Sequence, residues 1–171
     1  MRAAVLTISD RASRGDYEDK TGPQVIRRLQ QQGWDVEKSV ILPDDQDGIQ
    51  VALIECCDQH KFDLVLTAGG TGFSARDCAP EATLSVVERL APGLAEAMRA
   101  GSMKKTPHAM LSRAVAGIRG TTLIVNLPGS PRAAIENLDF ILPALPHAVK
   151  ILQGDPQAER EHRWKPPAHK I

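Results

Sequence analysis

The sequence lacks the features that mark several large classes of protein. It has only three cysteines, an odd number in which Cys56 and Cys57 are adjacent, and this count predicts no disulfide framework. No cysteine or histidine spacing typical of a metal site occurs, and no apolar run approaches the length of a transmembrane helix. Because the N-terminus passes directly into a predicted strand, without a signal-like apolar segment, we expect a soluble protein of the reducing cytoplasm with no membrane partner.

An excess of charge of one sign is also missing. The 171 residues include 21 basic and 21 acidic side chains, so the formal net charge is zero. The overall charge therefore predicts no nucleic-acid partner, and any function that depends on charge must be local. The length suits one domain, which can bury enough surface to fold without disulfide or metal staples.

Residues 64–77 are the most informative part of the chain. Residues 64–68 are apolar or small without alternation, which is typical of a strand buried on both faces. Gly69, Gly70 and Gly72 follow, and their freedom in φ would let successive N–H groups form a nest for an anion such as phosphate. The spacing fits neither the Walker loop nor the dinucleotide fingerprint. A plain turn between a strand and a helix is therefore an alternative interpretation.

Three acidic side chains follow the ends of predicted strands. Asp10, Asp44 and Asp77 each stand in a loop after such a strand, and the carboxyl ends of parallel strands are where α/β sheets bind ligands. An acid beside a phosphate site usually requires a metal ion between them. Asp47 and Gln50 fit a capping box, so Asp47 is predicted to cap a helix, which leaves Asp44 without a structural role.

The remaining sequence predicts alternating strands and helices. The predicted strands cover residues 3–9, 34–42, 64–68, 111–120 and 121–127. The predicted helices begin near Thr21 as N-cap, Asp47, Pro80, Leu94 and Ser130. Gly120 suits a hairpin between the last two strands, so the sheet should be mixed. Cys56, Cys57, Leu90 and Met103 are expected to face the core.

Residues 123–131 form a second strand–loop–helix unit. Ser130 is the predicted N-cap and Pro131 the first helical residue, so the free N–H groups at this helix start can hold a second anion. From residue 155 the composition turns polar, which predicts a tail without a core of its own. Trp164 in this tail is the residue that could attach it to the body or to a neighbouring subunit.

Three stretches, in this order, carry a family resemblance. They are Ser-Asp-Arg at 9–11, Gly-Gly-Thr-Gly-Phe-Ser-Ala-Arg-Asp-x-x-Pro-Glu-Ala-Thr at 69–83, and Leu-Ile-Val-Asn-Leu-Pro-Gly-Ser at 123–130. The chain closely resembles the molybdenum cofactor biosynthesis family, which includes bacterial molybdopterin adenylyltransferase and the G domain of gephyrin. The resemblance extends to about residue 154, so we predict a domain over residues 1–154 and a polar C-terminal tail over residues 155–171.

The resemblance implies both a fold and an activity. The implied fold is a three-layer α/β/α domain with a mostly parallel mixed sheet, commonly assembled as a homotrimer. The implied reaction transfers AMP from Mg-ATP to the phosphate of molybdopterin and releases pyrophosphate. Molybdopterin and ATP would be the substrates and Mg²⁺ the cofactor. Other molybdenum cofactor biosynthesis proteins are candidate partners.

The resemblance also assigns roles to residues, motif by motif. The catalytic carboxylates and Mg²⁺ ligands would be Asp44 and Asp77. The nucleotide-binding residues would be Gly69, Gly70, Thr71 and Gly72. The substrate contacts would be Ser9, Asp10, Ser112, Gly129 and Ser130. Two other interpretations stay open: a pterin-binding module without transfer chemistry, and an interaction scaffold of the same fold.

Overall fold

Six strands form one mixed sheet in the computed structural model, which describes residues 1–158. In chain order they are β1 (Arg2–Ile8), β2 (Asp35–Leu42), β3 (Leu64–Ala68), β4 (Arg89–Leu90), β5 (Ala116–Arg119) and β6 (Thr122–Leu127). Their order across the sheet is β2-β1-β3-β6-β5-β4. Strands β2, β1, β3 and β6 run parallel, whereas β5 pairs antiparallel with both β6 and β4. The predicted mixed sheet, with a hairpin at Gly120, is confirmed.

Helices cover both faces of this sheet. They are α1 (Asp10–Ser13), α2 (Gly22–Gln30), α3 (Gln46–Ile54), α4 (Ala79–Val86), α5 (Pro92–Met103), α6 (Pro131–Ile141) and α7 (Leu145–Leu152), with a π-helical turn over Glu55–Gln59 and a 3-10 helix over Pro107–Leu111. Side chains of the central strands alternate between two cores. One core packs against α2, α5, α6 and α7, and the other against α3 and α4. The three-layer α/β/α architecture is therefore confirmed.

The two adjacent cysteines belong to the core under α3, as predicted. Cys56 and Cys57 are buried in the π-helical turn. Burial raises the pKa of the Cys56 thiol to about 11 and that of the Cys57 thiol to about 12. Both thiols are therefore protonated at neutral pH, and neither is a reactive nucleophile.

Two helix caps differ from the prediction. The N-cap of α3 is Asp45, whose Oδ2 accepts the Gly48 N–H at 2.9 Å, so the capping role predicted for Asp47 is wrong. Thr21 is the N-cap residue of α2, as predicted, but its hydroxyl donates to the Gly129 carbonyl at 2.7 Å and makes no capping hydrogen bond. The capping acceptor is Asp19, whose Oδ1 accepts the N–H groups of residues 21 and 22. In both helices the capping carboxylate lies two positions before the side chain predicted to cap.

The strand predicted over residues 111–120 is also partly wrong. Only Ala116–Arg119 pairs with the sheet, while Pro107–Leu111 winds into a 3-10 helix whose first turn is capped by the Thr106 hydroxyl. Leu90 and Met103, which were predicted to face the core, are 59% and 48% exposed. Asp10 begins a short helix instead of a loop, because the Ser9 side chain accepts the Ala12 N–H as its N-cap.

The structure bears on the predicted absence of a membrane span but covers only the first residues of the predicted tail. Within residues 1–158, no helix combines the length and the apolar character needed to cross a bilayer. The tail falls mostly outside this range, and so does Trp164. The proposed boundary at residue 154 therefore stays a prediction, although Ala158 is fully buried against the domain.

Candidate functional site

The glycine loop lies where three parallel strands end side by side. Ala68, the last residue of β3, pairs with Thr7 of β1 and Leu127 of β6. Gly69 follows with φ +116°, and a Cβ at this position would stand 2.1 Å from the Ile8 carbonyl oxygen. A side chain therefore cannot be accommodated, and the glycine allows the loop to turn directly against β1.

The next three residues present backbone donors. Gly70 also has positive φ, +60°, and the N–H groups of Gly70, Thr71 and Gly72 donate to no backbone acceptor within residues 1–158. The N–H of Gly69, by contrast, is bound to the Leu127 carbonyl at 3.0 Å. Three free donors in a turn with two positive-φ glycines are the donors that an anion nest requires, and the nest itself stays a prediction.

An acidic cleft of about 240 Å³ opens on one side of this loop. Six of the residues predicted to form the site line it: Ser9, Asp44, Gly69, Gly70, Asp77 and Gly129. Tyr17, Asp19 and Thr21 also contribute to the walls. Carboxylates at the mouth of an anion nest would repel phosphate, so this cleft suits a phosphate ligand only together with a cation.

Asp44 is held in place by Asp10. The Oδ2 atom of Asp44 accepts the Asp10 N–H at 2.9 Å, and the Oδ1 atom of Asp10 accepts the Asp44 N–H at 3.1 Å. Burial is the largest cause that raises the pKa of Asp44; the hydrogen bond from Asp10 lowers it, and the charges of Asp10 and Asp77 raise it. A nearby cation would relieve this unfavourable ionisation.

Asp10 itself is paired with an arginine. Arg76 donates from Nε and Nη2 to the two carboxylate oxygens of Asp10, both at 3.0 Å. These hydrogen bonds are the largest cause that lowers the pKa of Asp10. Asp10 therefore supports Asp44 through their paired hydrogen bonds and is itself held by Arg76, and it is not among the residues that line the acidic cleft.

Asp77 is fixed by its own loop. Its Oδ2 atom accepts the Ser74 N–H at 2.9 Å, and its N–H donates to the Ser74 carbonyl at 3.0 Å. A Cβ at Gly72 would lie 2.9 Å from Asp77 Oδ2, so the missing side chain at position 72 leaves room for the carboxylate. Its Oδ1 atom makes no hydrogen bond to the described residues and is free for a ligand.

A second, largely apolar cavity of about 280 Å³ is lined by the second half of the loop. Among the residues predicted to form the site, Thr71, Gly72 and Ser112 line it, together with Pro128, Ala133 and Asn137. Ser102 also lines this cavity, but its hydroxyl oxygen is closed off from solvent and has no hydrogen-bond partner in the part of the chain that the structure describes. The largely apolar lining of the cavity is suited to a flat ring.

Ser130 is separated from both spaces. It lines a separate hollow of about 260 Å³ with Lys105, Arg132 and Glu136, and its side chain makes no capping hydrogen bond to α6. The structure thus brings six predicted residues to the acidic cleft and three to the apolar cavity, and it places Asp10 behind the cleft.

Some residues of the site were not identified from the sequence. Arg113 binds the glycine loop, and Asp19 and Tyr17 form part of the cleft wall. Arg113 directly follows the predicted Ser112, but nothing in its local sequence indicated which carbonyls it reaches. Asp19 could have been found as a capping residue two positions before Thr21, since Asp is a favoured N-cap.

Metal coordination by the protein alone is limited. No group of three or more His, Cys, Asp or Glu side chains suited to a metal ion occurs in residues 1–158. Asp44 and Asp77 are two carboxylates in one cleft. Mg²⁺ is usually bound by one or two carboxylates and completed by substrate phosphates and water. The donor set therefore fits Mg²⁺ that enters with a phosphate ligand.

Comparison with known proteins gives consistent results. Residues 4–147 match the family described as "Probable molybdopterin binding domain". A molybdopterin adenylyltransferase of Helicobacter pylori is 43% identical over 153 residues, which are 88% of this chain and 87% of that protein. The molybdopterin adenylyltransferase of Escherichia coli K12 is 38% identical, over 90% of this chain and 86% of its own. Gephyrin of Dictyostelium discoideum is 42% identical over 94% of this chain, but only 24% of gephyrin is covered.

Solved structures show the same similarity. The molybdopterin biosynthesis enzyme MoaB from Thermus thermophilus has a TM-score of 0.86 at 45% identity, with 91% of this chain and 98% of that chain covered. A MogA structure has a TM-score of 0.83 at 37% identity, with coverage of 89% and 99%.

Proposed function

The chain belongs to the molybdenum cofactor biosynthesis family of molybdopterin-binding domains, and on that premise we propose that it is a molybdopterin adenylyltransferase. The enzyme would transfer AMP from ATP to the phosphate of molybdopterin. The observation that carries the proposal is that one glycine loop lines two cavities, with Gly69 and Gly70 at the acidic cleft and Thr71 and Gly72 at the apolar cavity. A transfer between two phosphate-bearing substrates requires two sites that meet at the reacting phosphates.

We assign the two substrates by the chemistry of the cavities. The triphosphate suits the acidic cleft, where Asp44 and Asp77 would hold Mg²⁺ and the free N–H of Gly70 would bind a phosphate oxygen. The free N–H groups of Thr71 and Gly72 belong to residues of the apolar cavity and would bind the phosphate of molybdopterin. The flat pterin suits the apolar cavity, where Ser112 and Asn137 offer polar contacts. Ser9 and Gly129 would then contact the nucleotide.

The proposed reaction makes one bond and breaks one. A phosphate oxygen of molybdopterin attacks the α-phosphorus of ATP, the bond from this phosphorus to the β-phosphate bridging oxygen breaks, and pyrophosphate leaves. The second pKa of a phosphate monoester is about 6, so the nucleophile is a dianion at neutral pH and requires no general base. Mg²⁺, when bound, would neutralise charge on the nucleotide phosphates. The nest and the two carboxylates contribute orientation and electrostatic stabilisation.

The direct test is product formation. The protein is incubated with molybdopterin, ATP and Mg²⁺, and the pterin is examined by mass spectrometry for the added adenylyl group while pyrophosphate is measured in parallel. Omission of molybdopterin should abolish pyrophosphate release, which distinguishes transfer from simple ATP hydrolysis. Binding of molybdopterin without any adenylylated product would instead identify a pterin-binding module and reject the transferase.

We also propose that the protein forms a homotrimer, as its family resemblance implies. Analytical ultracentrifugation at micromolar concentration should give a mass near three times the 18.5 kDa of one chain. Zero net charge gives no long-range repulsion that would oppose assembly. A species with the mass of one chain across this concentration range would contradict the proposal.

A further inference from the structure

We propose that Arg113, anchored by Glu81, is a positioning residue that holds the glycine loop and Asp77 in one geometry. This inference rests on the proposed transferase function, which it extends to a residue that reaches the chemistry only through others. The Arg113 guanidinium contacts three separate parts of the site, and each contact is to an oxygen atom of the protein.

The first two contacts bind the glycine loop to the Arg113 guanidinium. Arg113 Nε donates to the Gly72 carbonyl at 2.6 Å, and its Nη2 donates to the Asp77 carbonyl at 2.7 Å. The backbone N–H of Arg113 also donates to the Thr71 carbonyl at 3.0 Å. Because the carbonyls of residues 72 and 77 converge on one planar cation, the intervening loop is held at both ends.

The third contact connects this loop to a rigid helix. Arg113 Nη1 forms a close ion pair with Glu81 Oε1 in the first turn of α4. The neighbouring Ala82 and Thr83 are fully buried against the sheet, so Glu81 has a fixed base. Its Oε2 atom is buried and makes no hydrogen bond within residues 1–158. The Glu81 side chain is 44% exposed and that of Arg113 32%, so this ion pair is partly solvated and acts mainly to orient the guanidinium.

Arg113 is linked to both cavities through Ser112 and Asp77. The preceding residue, Ser112, lines the apolar cavity, and the Asp77 carboxylate lines the acidic cleft. One guanidinium therefore sets the distance between a contact of the pterin site and a carboxylate of the nucleotide site. Three of the five N–H donors of Arg113 are bound by protein oxygens, one at each nitrogen, and on these contacts we assign Arg113 to positioning.

Loss of the Arg113 guanidinium should affect turnover more than substrate binding. In Arg113→Ala, the Gly72 and Asp77 carbonyls lose their common donor, so the loop and the Asp77 carboxylate can shift. A displacement of about 1 Å between reacting groups typically lowers the rate about 10²-fold. We expect kcat to fall by about that factor, while the KM values for ATP and molybdopterin change by less than about fivefold.

Two conservative variants keep the test valid if Arg113→Ala does not fold. Arg113→Lys retains the charge but cannot reproduce three directed hydrogen bonds, so an intermediate decrease in kcat is expected. Glu81→Gln retains the size of the side chain but removes the anchor. The double variant Glu81→Gln/Arg113→Ala should be no slower than Arg113→Ala alone, because both changes disable the same unit.

A matched control comes from another arginine. Arg119 forms a two-point ion pair with Asp58 at 2.9 and 2.6 Å and donates to the Val86 carbonyl at 3.0 Å, and it lines neither cavity. Arg119→Ala removes a comparable set of contacts. It is expected to lower stability in the same way but to leave kcat within about threefold of the unaltered protein.

Hydrogen exchange separates this inference from the transferase proposal. In Arg113→Ala or Arg113→Lys, the hydrogen-bonded amides within residues 72–77, which are those of Ser74, Arg76 and Asp77, should exchange faster, whereas those of β3 should not. This readout requires no activity and therefore tests the inference even if the unaltered protein proves not to be a transferase. Unchanged exchange in residues 72–77, or a kcat that falls no further for the Arg113 variants than for Arg119→Ala in an active enzyme, would overturn the positioning role.

Discussion

Asp77→Asn is expected to lower the rate of adenylyl transfer about 10²–10³-fold in a protein that still folds and still binds molybdopterin. The substitution keeps the shape of the side chain, and Asn can still accept the Ser74 N–H that Asp77 Oδ2 accepts now. It removes one of the two carboxylate charges that would hold Mg²⁺ with the nucleotide. Single-turnover transfer and the equilibrium binding of molybdopterin are the two measurements.

Asp45→Asn is the matched control for this substitution. Asp45 follows Asp44 directly, but it caps α3 through its Oδ2 atom and is not part of the acidic cleft. Asn is as good an N-cap as Asp, so stability and transfer should both stay close to those of the unaltered protein. If Asp77→Asn retained full turnover, Asp77 would have no place in the mechanism.

The pH dependence distinguishes cation binding from general-base catalysis. If a carboxylate were the base, the rate would follow the pKa of that carboxylate. In the proposed mechanism the rate rises as the molybdopterin phosphate loses its second proton near pH 6 and is constant above that pH. Burial raises the pKa of Asp44, so protons compete with the cation as pH falls. The magnesium concentration for half-maximal rate should therefore increase toward acid pH.

Gly69→Ala is expected to lower the free energy of unfolding by about 3 kcal/mol. The backbone at this position has φ +116°, a conformation that L side chains rarely adopt, and the new Cβ would stand 2.1 Å from the Ile8 carbonyl oxygen. Neither β1 nor β3 can move away without breaking the pairing of two central strands. The decrease should appear as a lower urea midpoint with an unchanged slope.

Two other glycines calibrate this result. A Cβ at Gly93 would meet no atom within 4 Å, and the residue lies in α5, so Gly93→Ala should leave stability unchanged or raise it. A Cβ at Gly72 would meet only the Asp77 carboxylate, so Gly72→Ala should perturb the site more than the fold. A loss below about 0.5 kcal/mol in Gly69→Ala would show that the close approach to Ile8 is not a constraint.

Much of the scaffold could be predicted because its signals are local. The uninterrupted apolar residues of β3 indicated a strand buried on both faces, and the glycines after it indicated a loop that could turn without side chains. Gly120 indicated the hairpin that makes the sheet mixed. Helix caps were less predictable, since Asp45 and Asp47 are equally good capping residues and only the backbone conformation of the preceding strand end decides between them.

The arrangement of the site depends on contacts between residues that are far apart in the chain. These contacts could not be predicted from the sequence. The sequence brought Ser9 and Ser112 into one set of substrate contacts, but the structure separates them into different cavities. The support of Asp44 by Asp10 joins residues 34 positions apart. Arg113 reaches Gly72 across 41 positions, and no pattern near residue 113 encodes that partner.

The unequal edges of the sheet have a consequence for solubility. On one side β4 contains only two residues, Arg89 and Leu90, which is too short to template a neighbouring strand. On the other side β2 has eight residues and an open edge, but Asp35 and Glu37 place charges on its exposed positions. Aggregation by strand pairing is thus disfavoured at both edges of the sheet. The β4 edge is too short, and the β2 edge carries charged side chains. Molecules of this protein should therefore associate through their helical faces and not by extension of the sheet.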